Sequence, residues 1–81
     1  MPTVHEEAGF LFGFYSADRL REPPHIHAKG SSGAAKVWLS PVSLAWERGL
    51  TVAEIRAVLQ VVNREAEAML EKWHDFVPEK G

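Results

Sequence analysis

The sequence predicts an α+β domain: a small antiparallel sheet of three to four strands with one long C-terminal helix packed on one face. Three observations predict it. Phe10, Phe12 and Phe14 alternate with Leu11, Gly13 and Tyr15, the period-two pattern of a strand. Two short β-permissive runs, His25 to Lys29 and Ala34 to Ser40, flank Gly30-Ser31-Ser32-Gly33, a turn of the kind that joins antiparallel strands. From Ile55 the apolar residues Leu59, Val62, Ala66, Met69, Trp73 and Phe76 fall at alternating spacings of four and three, a helical stripe.

Taken in order, Thr3 to His5 is β-permissive and Glu6-Glu7-Ala8-Gly9 reads as a turn. Phe10 to Tyr15 is apolar on both faces, which predicts a central strand with its aromatics, Tyr15 included, in the core. Ser16 to Arg21 is a polar connection. Pro23-Pro24 forces an extended approach to the next strand, because proline fixes φ and keeps its predecessor out of the α region. If the four-residue loop closes a regular hairpin, Lys29 faces Ala34, His27 faces Lys36 and His25 faces Trp38. Ile26 then opposes Val37 on the other face, and Ala28 opposes Ala35. Val42 to Arg48 fits either a short helix or a last strand. Thr51 with Glu54 forms a capping-box pattern, so the helix runs over about residues 51–76 and stops before Pro78. Such a rod is roughly 37 Å long, longer than a small sheet is wide. Leu70 and Trp73 are therefore candidates for a partner surface on its overhang.

At 81 residues the chain predicts one domain, residues 1–81. Without cysteine it has no disulfide, thiolate metal site or Cys nucleophile. It carries no run of the roughly 20 apolar residues needed to span a membrane, so a cytoplasmic protein with no membrane partner is expected. A net charge of −2 argues against nucleic-acid binding by bulk electrostatics. The charge is uneven, however. Residues 1–40 balance four acids against four bases, and those bases, Arg19, Arg21, Lys29 and Lys36, surround one stretch.

That stretch is Glu22-Pro23-Pro24-His25-Ile26-His27. On a strand, side chains two apart share a face, so His25 and His27 point the same way. Three readings compete. In the first, both imidazoles are structural, packing beside Trp38 and Lys36 and bonding a turn carbonyl. In the second, His-x-His holds a metal ion, which needs a third ligand from Glu22, His5 or Glu7. In the third, the pair does acid–base chemistry on a phosphodiester. There His25 and His27 are catalytic, Arg19, Arg21, Lys29 and Lys36 bind phosphate, and Trp38 stacks on a base. No cofactor is implied. His74, near the negative end of the helix dipole, reads as structural, and Glu65, Glu67 and Glu71 read as a solvated helix face.

The chain also resembles domain-of-unknown-function family 4160 nearly end to end. The resemblance is carried by Met1 to Thr3, Phe14 to Ser16, Glu22 to His27, Ala35 to Leu39, and Lys72-Trp73. It departs at Trp38 and Trp46, where other members vary. The resemblance implies a bacterial toxin component of a toxin–antitoxin pair, encoded beside a small antitoxin-type partner of domain-of-unknown-function family 2442. The first expectation is thus a toxin-like effector acting on RNA, as a metal-independent ribonuclease if it is an enzyme. The alternative is a non-enzymatic module that binds a neighbour-encoded protein through its helix or a sheet edge, with a homodimer as a further arrangement. The third is a metal-binding protein using His25 and His27.

Overall fold

The computed structural model describes residues 3–15 and 22–76. The chain forms β1 (Thr3–Glu7), β2 (Phe10–Gly13), β3 (His25–Lys29), β4 (Ala34–Leu39), β5 (Val42–Arg48) and α1 (Val52–Phe76). The five strands lie in sequence order as an antiparallel meander. That is one strand beyond the three to four expected, and the extra one is Val42–Arg48. Ser40-Pro41, joined by a cis peptide bond, is a two-residue turn that folds β5 back on β4, with Leu39 opposite Val42.

Turn chemistry sets the other connections. Ala8 and Gly9 have φ of 56° and 80°, so both central residues of the β1–β2 turn are left-handed, as a two-residue hairpin requires. The β3–β4 loop closes with the Gly30 N–H donating to the Gly33 carbonyl at 2.9 Å. A Cβ on Gly33 would stand 1.9 Å from the Arg48 carbonyl oxygen, so only glycine lets this loop lie against the end of β5. The β3–β4 pairing follows the register expected from the sequence, from His25 opposite Trp38 to Lys29 opposite Ala34.

Helix α1 starts at the expected box. The Glu54 N–H donates to Thr51 Oγ1 at 3.1 Å, and the Thr51 N–H donates to Glu54 Oε1 at 2.8 Å. The Thr51 N–H and, secondarily, the Ser32 hydroxyl hold the Glu54 carboxyl below its ordinary range. The helix lays Val58, Val62, Met69 and Trp73 on the sheet, against Phe10, Phe12, Phe14, Ile26, Ala28, Val37 and Leu39. One face of the sheet is thereby buried. Trp73, expected on a partner surface, is a core residue edge-on to Phe14 at 5.3 Å, and Leu70 is partly buried beside it. No helix among the described residues is long and apolar enough to cross a membrane.

Candidate functional site

Alternation along the strands sends the remaining side chains to the face away from the core. Register aligns them in rows: Leu11, Lys29, Ala34 and Arg48; then Gly13, His27, Lys36 and Trp46; then His25, Trp38 and Ser43. At the middle of this surface the His27 ring meets Tyr15 edge-on at 4.4 Å, and Trp46 lies 6.3 Å away. Tyr15 and Trp46 remain 39% and 40% exposed. Tyr15, expected in the core, is instead on the open side, because β2 ends at Gly13 and the odd-numbered residues of that strand already face outward.

The two histidines have different surroundings. His25 is fully buried, with ring centroids 5.0 Å from Trp73, 5.7 Å from Trp38 and 5.1 Å from His27. Its Nδ1 donates to the Pro23 carbonyl at 2.9 Å. Since a carbonyl can only accept, Nδ1 carries a hydrogen and the ring is fixed in orientation. The two prolines, lacking N–H groups, serve as acceptors: the Pro24 carbonyl takes the Leu39 N–H at 3.0 Å and extends the ladder. His27, by contrast, is only half-buried.

Charge on this face is partly neutralised. Lys36, only 9% exposed, ion-pairs with Glu22, and its Nζ sits 4.7 Å from the Trp38 ring. The same Glu22 oxygen lies 3.8 Å from His25 Nδ1. Arg48 lies over Trp46 at 5.7 Å, and Lys29 and Arg48 are exposed. Arg19 and Arg21, expected to bind phosphate, lie outside the described residues.

The metal reading needed His5, Glu7 or Glu22 to join His25 and His27. The fold sets His5 and Glu7 apart from the pair, while Glu22 stays beside His25, 3.8 Å from the Nδ1 whose hydrogen the Pro23 carbonyl accepts. His5 pairs with Phe12 and packs on its ring at 5.8 Å, so His5 and Glu7 lie on the helix side of the sheet. There His5 Nε2 donates to Glu7 Oε1 at 2.8 Å. Arg64 of α1 ion-pairs with both Glu7 and Glu65. Arg64 foremost, and His5 after it, lower the Glu7 carboxyl below its usual value. Glu65, expected on a solvated helix face, is drawn into this group. Sequence distance hid the grouping; only the i, i+2 spacing of His5 and Glu7 was visible beforehand.

The fold and this surface define a small α+β protein whose sheet has one packed face and one open face, the latter rich in aromatic and basic side chains. Residues 9–74 match the domain of unknown function DUF4160, and the chain belongs to that family. No curated protein and no solved structure matches it.

Proposed function

We propose that this protein is the toxin-like effector of a toxin–antitoxin pair and that it acts on RNA through the open face of its sheet. The observation that carries the reading is the half-buried His27 set between exposed Tyr15 and Trp46, with exposed Lys29 and Arg48 on the same face. Aromatic faces stack on unpaired bases whatever their sequence, and cations beside them hold the phosphates. In strand cleavage, His27 takes the proton of a ribose 2′-hydroxyl as its oxygen attacks phosphorus. The P–O5′ bond breaks, and the leaving oxygen takes a proton from an imidazolium or from water. Lys29 and Arg48, both exposed, stabilise the charge developing on the phosphoryl oxygens, while Lys36 stays paired with Glu22. His25 acts by positioning His27 from below, and Trp38 supports Lys36. Arg19 and Arg21 complete the phosphate-binding set.

Growth inhibition on expression, measured with single-stranded RNA cleavage by the purified chain, tests this. The substitution His27→Ala abolishes both while far-ultraviolet circular dichroism is unchanged. Undiminished cleavage and toxicity in that variant would overturn the role given to His27.

The second reading, a binding module for a neighbour-encoded antitoxin-type protein, is favoured by β5. This edge strand is seven residues long, and Leu44 and Trp46 are exposed along it. Unpaired edges accept a further strand. On this reading co-purification with the partner survives His27→Ala and is lost in Leu44→Asp. The core position of Trp73 makes it a poor probe of such an interface.

A further inference from the structure

We propose that His5, Glu7 and Glu65 form a binding site for one divalent transition-metal ion of the zinc class, joining β1 to α1 on the helix side of the sheet. The ligand atoms of these three side chains all lie within 4.8 Å of one another. Around a tetrahedral ion with bonds near 2.1 Å, ligands stand roughly 3.4 Å apart. His5 Nε2 and Glu7 Oε1, at 2.8 Å, stand at hydrogen-bond distance and part by about 0.6 Å to take that spacing. The side chains of His5, Glu7 and Glu65 are 28%, 35% and 29% exposed, so an ion in solution has access to all three.

The donor set is specific in kind. One imidazole and two carboxylates suit zinc, with water in the fourth position, whereas magnesium prefers oxygen ligands alone. His5 is oriented by its packing on Phe12, and a ligand whose ring is held needs less ordering on binding.

The second observation is what now fills the site. Between His5 and Glu7 lies the Nε2 hydrogen, and the guanidinium of Arg64 reaches both Glu7 and Glu65. A dication replaces these two: the hydrogen leaves Nε2, moving to Nδ1 or to solvent, and the Arg64 head group swings out. Arg64 is 54% exposed, so water receives it readily. It is thus a built-in competitor for the same carboxylates.

The test is zinc titration of the full-length, tag-free chain against a chromophoric chelator, with thermal melts in parallel. One equivalent binds and raises the melting temperature. The substitutions His5→Ala and Glu65→Gln weaken binding at least about tenfold, the scale seen when metal sites lose even supporting groups. In Arg64→Gln zinc binds about threefold tighter, the size an exposed ion pair supports, and His27→Ala leaves binding unchanged. Absence of stoichiometric binding, equal binding by His5→Ala, or competition by equimolar magnesium would overturn the proposal. Binding lost in His27→Ala but kept in His5→Ala would overturn it in favour of the His25–His27 pair. None of these outcomes depends on whether the open face acts on RNA.

Discussion

The two faces of the sheet are built from the same strands, yet they differ in what tertiary contact does to them. On the helix side, Phe12, Ile26 and Val37 are wholly excluded from water. On the other side Leu11, Tyr15 and Trp46 stay about two-fifths exposed and are joined by Lys29 and Arg48. A large aromatic on the packed face is explained by burial alone. One left in water beside cations is not, and contiguous exposed apolar surface rimmed by charge marks binding. The histidines repeat the contrast within one strand. His25 is closed off by Trp73 from the helix, while His27, two residues later, remains reachable.

Mutating matched residues on the two faces sharpens this contrast, and the largest effect falls on the core. Phe12→Ala should cost about 3–5 kcal/mol in denaturant unfolding, whereas Leu11→Ala should stay within about 0.5 kcal/mol. Comparable losses at both positions would show that the open face is also packed.

The histidine pair comes next. His25→Ala leaves a hole between two Trp rings and removes the bond to the Pro23 carbonyl, and should cost about 2 kcal/mol. His27→Ala, which gives up ring contacts to Tyr15 and Trp46 from a half-buried position, should cost less than His25→Ala, although function is lost. If His27→Ala destabilises as much as His25→Ala, both histidines are structural and the assignment of His27 as a site residue fails.

The smallest effect concerns acid stability at the helix start. The Glu54 carboxyl titrates near 4.5 when unfolded and lower when folded, because the Thr51 N–H and Ser32 hydroxyl bond its charged form. In that window the unfolded chain binds more protons, so stability rises with pH and is lost as pH falls through the folded value. In Glu54→Gln, which keeps the box, melting temperature should depend less steeply on pH as the pH falls below about 4.5. An unchanged slope would place the acid sensitivity elsewhere, with Glu7 beside Arg64 the next carboxylate to alter.

Much of this was legible from residue order. The β3–β4 register followed from a four-residue turn between two period-two runs, and the capping box from Thr51 and Glu54. Val42–Arg48 was ambiguous because its apolar residues match both a period of two, at 42, 44 and 46, and the helical spacing i, i+3, i+4, at 42, 45 and 46. Tyr15 was misplaced because aromatic character was read as burial. The parity of Phe10, Phe12 and Phe14 already assigned odd positions to the other face. Lys36 was read as a cation open to substrate, and Glu22, in the segment leading into β3, pairs with it.

What the sequence determined by itself is local: strand and helix periods, turn residues, a helix cap, and a pair of histidines on one side of a strand. Each depends on spacings of two to four residues, which backbone geometry converts directly into a shared face. The tertiary structure decided which histidine is closed off, which cations are neutralised, and that His5 and Glu7 meet Glu65 rather than the histidine pair. Those outcomes turn on side chains brought together by the helix crossing the sheet and, for Lys36, by the approach of Glu22 to β4. Burial and charge pairing act through space, and no local pattern carries that information.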